Sequence, residues 1–573
     1  MEITSGSPAA RVTILTDQMK FRITSELGDS NSDILSISTN KDMGSPAGSF
    51  NIVFTPNKDK NNYTWFDKLD AYDYVQIEFK GINDDDFKVI MRGLIDNVSS
   101  SESWEGGTPQ RSITVNGRDF GCLLTDHQIY YIPEMGENEA LEGLLTYIAW
   151  KNFIPGPVNA ATAFTVIWER FKEGLDLEVG GGPAKYTIEG ENETKSEQVK
   201  QKFGRDAAQT FPDDVTNLWH LKGYEGSYWN AFAQYQDKPF HELFVYDSPN
   251  GDDLNGVSWL VLRPSRLKDA KGNYHKSVTD NLENKQLYPD DFYFTNKNLI
   301  SINVSKSQSE VFNYFITIPA LQLLTKTSFR GMMLSTVKDN FRLSENPFFQ
   351  CSNYYPAYMG KYGFRKYEAT TYFVNLDVGQ LEKPTTQDQK EYENKVLAPA
   401  FIQKGVERNR MLVAWFLHNE FLLSGTIDIS GTGAVIIGTY AKNEDDGMEY
   451  YVEGVSHSWI LFQSYRTSLR VSRGQPQQEA GGLVGWSDKV ANIRMNRYYF
   501  GGDGVKDVYG PVTVTIRKGI QADPKDTFSK TNKTKLLKST PASGPKRGLQ
   551  ADPKDSSGRK KKYQSGVPDM MGR

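Results

Sequence analysis

Val89-Ile90-Met91-Arg92-Gly93-Leu94-Ile95-Asp96-Asn97-Val98-Ser99-Ser100 decides how the chain is read, because the chain writes it twice. The second version is Tyr450-Tyr451-Val452-Glu453-Gly454-Val455-Ser456-His457-Ser458. Both are β-type runs with an internal glycine, and matching the glycines sets Gly93 on Gly454. Each is followed by a run that opens on serine, Ser112-Ile113-Thr114-Val115-Asn116-Gly117 and Ser468-Leu469-Arg470-Val471-Ser472-Arg473-Gly474. Upstream, Ile34-Leu35-Ser36-Ile37-Ser38 answers to Leu299-Ile300-Ser301-Ile302-Asn303. Phe50 to Pro56 is set against Tyr314 to Pro319 in the same way. Self-similarity of this kind is read before anything else. The fold class expected is mainly β with α+β insertions, its two antiparallel β-barrel domains related by internal duplication.

At 573 residues the chain exceeds what one core supports. Its 38% hydrophobic and 12% aromatic content is that of a globular protein. The 30 Tyr and 31 Phe lean towards strands, where aromatic side chains fit a pleated surface. Net charge is −5, unevenly spread. From Arg517 to Arg573 there are 15 Lys/Arg against 5 Asp, so the tail is basic and the body acidic. Cys122 and Cys351 form no C-x-x-C and are expected as free thiols in a reducing cytoplasm. No apolar run reaches membrane-spanning length and the start is not a signal peptide, so no membrane anchor is expected.

Four regions follow. Residues 1–126 are a first β-barrel: Asp73 to Phe79 alternates with Val75, Ile77 and Phe79 on one face, and the polar tip Gly81–Asp86 turns it into the Val89 run. Residues 127–298 are an α+β insertion. It has a helix over Asn138–Lys151, a helix over Ser227–Gln236 with Trp229, Phe232 and Ala233 inward, and a hairpin of Glu242–Asp247 with Gly256–Pro264. Residues 299–475 are a second β-barrel, interrupted by an aromatic-rich insertion at about 321–406, with a helical stretch over Met411–Leu423. Residues 476–573 are an extended, basic tail. In the tail Gly519-Ile520-Gln521-Ala522-Asp523-Pro524-Lys525-Asp526 recurs at Gly548–Asp555, as a linear docking peptide would.

Gly226-Ser227-Tyr228-Trp229-Asn230-Ala231-Phe232, followed by Lys238-Pro239-Phe240-His241-Glu242-Leu243-Phe244, resembles the baseplate hub proteins of contractile phage tails, the late control protein D group. Met91-Arg92-Gly93-Leu94-Ile95 with Ile113 to Asp119 is similar to the closing strands of such a hub's first barrel. The likeness runs over roughly residues 10 to 475. It implies that both barrels are tail-tube-like, and that a homotrimer presents six of them as a pseudo-six-fold ring. The implied partners are the tail tube protein or a tube initiator ring above and the spike protein below. Baseplate wedge and tape-measure proteins are possible further partners, and DNA passes through the channel without specific binding. The implied place is the virion tail baseplate, assembled in a bacterial host cytoplasm. The resemblance has no counterpart for the basic tail.

No catalytic, cofactor or metal residues are assigned. The histidines at 127, 220, 241, 275, 418 and 457 are scattered, with no pair at metal-ligand spacing. Asp84-Asp85-Asp86 and Glu444-Asp445-Asp446-Gly447 lack the distal Glu of a calcium loop and precede equivalent strands, so they read as hairpin tips. Gly180-Gly181-Gly182-Pro183 lacks the lysine of a phosphate loop. An acidic body suits a channel that repels phosphate. The rival reading is a monomeric multi-domain carbohydrate-binding or carbohydrate-cleaving β protein, which needs a cleft of exposed aromatics, whereas a hub needs two equivalent barrels and self-association.

Overall fold

The computed structural model describes residues 7–129, 157–175, 203–207, 215–217, 225–248, 257–319, 353–354, 362–371 and 411–477, with short breaks inside several of these ranges. The expected Asn138–Lys151 helix, Gly180–Gly182, Cys351, three of the histidines (220, 275 and 418) and residues 478–573 lie outside them.

The first β unit comprises β1 (Ala9–Leu15), β2 (Lys20–Glu26), β3 (Ile34–Asp42), β4 (Ser49–Phe54), β5 (Tyr74–Lys80), β6 (Lys88–Glu105) and β7 (Thr108–Asp119). Alternation drives them: Val12 and Ile14, Ile52 and Phe54, and Ile113 and Val115 are buried on one face. The insertion holds β8 (Gln128–Ile129), β9 (Pro157–Asn159), β10 (Phe203–Ala207), β11 (Val215–Asn217), β12 (Gly226–Ser227), β13 (His241–Asp247) and β14 (Ser258–Pro264). The second unit and its own insertion hold β15 (Phe292–Phe294), β16 (Leu299–Lys306), β17 (Tyr314–Pro319), β18 (Asn353–Tyr354), β19 (Lys366–Thr371), β20 (Leu423–Ser430), β21 (Tyr440–Asn443), β22 (Met448–Ile460) and β23 (Ser464–Pro476).

Both units belong to one 13-stranded sheet in the order β16-β20-β23-β22-β3-β4-β7-β6-β5-β1-β2, with β21 and β15 continuing from β22. The chain is mainly β, and its two related units are joined edge to edge. One expectation is corrected. β17 is not the counterpart of β4: it pairs with β18 and β19 in a separate three-stranded sheet. The strand beside β16 is β20, about 120 residues further on, because the second insertion enters between the two.

In the first insertion the helix Tyr228–Ala233 is capped by Ser227, whose side chain accepts from the Asn230 N–H. Phe232 is buried, with Trp229 and Ala233 packed beside it. A further helix, Ala160–Leu175, buries Phe164, Ile167, Trp168 and Phe171, a spacing of three, one and three that keeps all four on one face. The hairpin β13–β14 lies in register from His241↔Pro264 to Asp247↔Ser258. Its Leu243, Val245, Leu260 and Leu262 face the helices. Phe244, Tyr246 and Val261 face the core of the second unit.

Candidate functional site: the seam between the repeats and its serine face

The hydrogen-bond ladders give an exact-residue alignment of the two units. β3 and β16 each carry a bulge at their second residue, between Ile34 and Ser36 and between Leu299 and Ser301. Ile34-Leu35-Ser36-Ile37-Ser38 therefore overlies Leu299-Ile300-Ser301-Ile302-Asn303 as expected. β6 bulges between Ile95 and Asn97, and β22 between Val452 and Gly454. A bulge is a registered feature of a strand, so Ile95-Asp96-Asn97-Val98-Ser99 overlies Val452-Glu453-Gly454-Val455-Ser456. This corrects the expected match of Gly93 with Gly454 by four residues, since Gly454 overlies Asn97 and Gly93 overlies Tyr450. The Ile95 carbonyl accepts from Tyr72 and the Val452 carbonyl from Gly438, and both donors have positive φ, 66° and 76°. The next strands open on equivalent buried tyrosines, Tyr74 and Tyr440. In the same frame Ser468 overlies Thr114, two residues from the expected Ser112.

The units meet where β22 pairs antiparallel with β3, from Gly454↔Asp42 to Ile460↔Ser36. Met43 N–H donates to the Glu453 carbonyl (2.8 Å), and Leu461 N–H to the Leu35 carbonyl (2.9 Å), extending the ladder at both ends. On the core side Trp459 and Leu461 of the second unit lie in one cluster with Ile37, Ile52 and Val115 of the first. The β5–β6 turn also reaches across: Gly81 lies so close to Gly431 that a Cβ would stand 2.2 Å from the Gly431 oxygen. Asp84 accepts from the Gly81 N–H and from Thr432 Oγ1. Asp445 at the other tip accepts from the Asn296 N–H (2.6 Å). Both acidic stretches therefore sit in turns and bind the protein's own donors. Among the described residues no group of His, Cys, Asp and Glu could hold a metal.

The opposite side of the sheet is carpeted with short polar side chains. One row of cross-strand neighbours runs Ser301, Asp428, Ser468, Ser456, Asn40, Ser49 and Arg118, from the edge of the second unit into the first. The next reads Ser430, Arg466, Ser458, Ser38, Asn51, Asn116 and Asn97. These side chains bond to one another: Ser301 to Asp428 at 2.7 Å, Ser456 to Asn40 at 2.8 Å, and Asn51 to Asn116 at 2.6 Å. Bonds from Ser468 and Ser301 hold Asp428 below the ordinary carboxylate range. Arg118 pairs with Asp96 and Asp126, and Arg470 with Asp42 and Glu453. The signal is in the sequence as the alternate serines Ser36 and Ser38 in β3 and Ser456 and Ser458 in β22, interleaved with the apolar positions.

The first insertion fastens both units from behind. Asp247 at the end of β13 bonds Lys41 of β3 (2.5 Å) and the backbone N–H of Arg92 in β6 (3.3 Å). Burial opposes the charge on Lys41, but Asp119 and Asp247 beside it hold it protonated. Glu242 accepts from Arg263 Nε at 3.0 Å, and Arg263 donates onward to the Gly438 carbonyl at 2.5 Å. Lys268 bonds both oxygens of Glu449 in β22, at 2.8 and 2.6 Å. These pairs are buried, so each is costly to break and together they fix one arrangement.

Of the histidines, His457 is buried between Phe79 and Tyr465, and burial pushes its pKa down to about 3. His127 bonds the Leu123 carbonyl. Cys122 is a buried free thiol, pushed up to about 12 by burial.

No protein-family model matches the chain, and no curated protein matches it in sequence. Solved structures it is similar to are phage tail and type VI secretion proteins. A tail protein from Neisseria meningitidis MC58 is 11% identical, with a TM-score of 0.40 over 82% of this chain and 97% of that one. The 43 kDa tail protein of prophage MuSo2 from Shewanella oneidensis is also 11% identical, with a TM-score of 0.39 over 83% and 99%. The E. coli c3393 protein is a type VI secretion component described as similar to the T4 tail proteins gp27 and gp5. It is 8% identical, with a TM-score of 0.33 over 78% and 74%. Likenesses this shallow carry no function by themselves.

Proposed function

We propose that the chain is a structural hub of a contractile-tail baseplate. Three copies form a pseudo-six-fold ring that joins a hexameric tail tube to a trimeric spike and leaves a channel for DNA or a tape-measure protein. The observation that carries this reading is the duplication itself. Two equivalent units, aligned bulge for bulge, lie side by side in one sheet with the same face turned the same way. A ring of three such chains presents six equivalent faces, which is how a three-fold assembly meets a six-fold one.

The serine face is assigned to the channel wall. A passing polymer meets hydroxyls and amides that already bond one another, and the arginines Arg118 and Arg470 already held by carboxylates, so it finds little to adhere to. The buried ion pairs behind the sheet suit a wall that keeps its shape under load.

The test is the solution mass by light scattering, with electron-microscope class averages of the same peak. Three chains and a ring with a central hole are expected. A monomer at high concentration, or a closed assembly of another number, overturns the reading.

A further inference from the structure

The β unit is not all that the chain carries twice. Arg517-Lys518-Gly519-Ile520-Gln521-Ala522-Asp523-Pro524-Lys525-Asp526-Thr527 returns as Lys546-Arg547-Gly548-Leu549-Gln550-Ala551-Asp552-Pro553-Lys554-Asp555-Ser556. From the glycine to the last aspartate, seven of the eight positions are identical. Every other position keeps its chemistry: basic for basic, aliphatic for aliphatic, hydroxyl for hydroxyl. Both copies lie outside the described residues, and their likeness is one of sequence.

Charge sets the copies apart from the tail around them. Of the 5 Asp between Arg517 and Arg573, 4 belong to the copies: Asp523, Asp526, Asp552 and Asp555. The 21 residues between the copies, 527–547, hold six Lys/Arg and no acidic residue. A tail that only adhered to acidic surface would gain nothing from those aspartates. Each Asp-Pro step also narrows the backbone: Pro fixes its own φ and biases the residue before it towards extended backbone. A ligand restricted in this way loses less freedom on binding. The one exchange, Ile520 for Leu549, keeps side-chain volume, as a shared apolar pocket requires. The matching site has that pocket, cations facing the two aspartates and an acid facing the lysine.

Two identical ligands need two identical sites, and symmetric rings supply them as neighbouring subunits. We propose that the two copies in each tail seat on two identical subunits of one six-copy component of the particle. Three hub chains then offer six copies of the segment, as they offer six β units, whereas a three-copy spike would leave half of them idle. The tail leaves the second unit after Gln477, whose N–H donates to the Gly447 carbonyl at 2.9 Å, so both copies start from one exit. The 21-residue spacer spans at most about 75 Å. Within that reach, one seated copy holds the other at high local concentration. The count of six rests on the hub reading; the shared site does not.

The test is an amine-reactive cross-linker applied to assembled particles and read by mass spectrometry. Lys525 and Lys554 hold the same place in the two copies, and the residues that follow them tell the copies apart. Both are expected to link to the same residues of one six-copy protein, with at least tenfold fewer such links from Lys530, Lys535 and Lys538 of the spacer. Asp552→Ala with Pro553→Ala should lower the Lys554 links at least tenfold and spare those of Lys525, while Leu549→Ile should change neither. Different partner residues for the two lysines, links only to this chain's own body, equal links along the spacer, or no links overturn the proposal. One shared site on a three-copy protein overturns the count of six. A three-chain solution mass with any of these failures leaves the hub reading standing. A shared site on chains that do not form trimers upholds the paired docking and overturns the hub.

Discussion

β3 and β16 are nearly the same strand, Ile-Leu-Ser-Ile-Ser-Thr-Asn against Leu-Ile-Ser-Ile-Asn-Val-Ser, with the same bulge and the same inner neighbour. They differ in what lies outside. β3 has β22 along its outer edge, and Ile37 is buried; among the described residues β16 ends the sheet, and Ile302 is half-open. Burial here is set by the neighbour, not by the residue.

The largest expected effect breaks the completed joint. Trp459 is fully buried where β22 crosses onto the first unit. Trp459→Ala should cost about 3–5 kcal/mol of unfolding free energy by denaturant titration. Trp104→Ala, at the exposed end of β6, should leave stability within about 0.5 kcal/mol of the parent chain. Equal loss of stability in both would remove the distinction between the buried and the exposed tryptophan.

Next in size is the fastening of the insertion to the second unit. Glu242 lies between Arg263, Ser265 and the Tyr451 hydroxyl. Glu242→Ala leaves the Arg263 guanidinium buried without its counter-charge, at a cost of about 3 kcal/mol or more. Lys285→Ala, at an exposed pair with Asp290, should change little. Chemical denaturation of both variants measures the contrast.

The repeat was legible because bulges and alternation leave a local trace: β3 and β16 match by eye. The exact alignment of β6 with β22 was not, because the glycine that catches attention occupies different places in the two ladders. In β6 it is Gly93, where a Cβ would stand 2.0 Å from the Arg118 carbonyl oxygen. In β22 it is Gly454, beside the bulge. The β17 error has a related cause. Tyr314–Pro319 has strand chemistry and the right distance from β16, but pairing is decided by contacts with β20 that lie beyond an insertion, and no local pattern reports those. The helix Ala160–Leu175 was missed although its Phe164, Ile167, Trp168 and Phe171 keep helical spacing. The candidate face was the hardest to see. It is made of serines and asparagines, each unremarkable alone, and only the cross-strand register sets them in rows.

His457 separates the two units by a titration. Its equivalent is the exposed Ser100, so only the second unit buries an imidazole at this point of the ladder. With a folded pKa of about 3 against an ordinary value of about 6.5, the unfolded chain binds a proton between these limits that the folded chain does not. Stability therefore rises with pH in that window, and is lost as pH falls from about 6.5 at up to about 1.4 kcal/mol per unit. Urea titrations at pH 7 and pH 5 should show about 2 kcal/mol lost to this group. His457→Gln should lose that much less over the same interval.

The smallest effect on stability is expected on the serine face, and there it is most informative. Ser458 is partly exposed and stands between Ser38 and Arg466 in its row. Ser458→Ala removes one hydroxyl from a solvated face and should change unfolding free energy by no more than about 0.5 kcal/mol. Ser458→Arg should be equally well folded, yet it adds a second cation beside Arg466 on that face. If that face is a conduit for a polyanion, particles assembled with the arginine variant should release DNA more slowly, and less so at high salt, where the added attraction is screened. Unchanged release from correctly assembled particles would move the conduit to another surface of the ring, while leaving the duplicated sheet and its joints as they are.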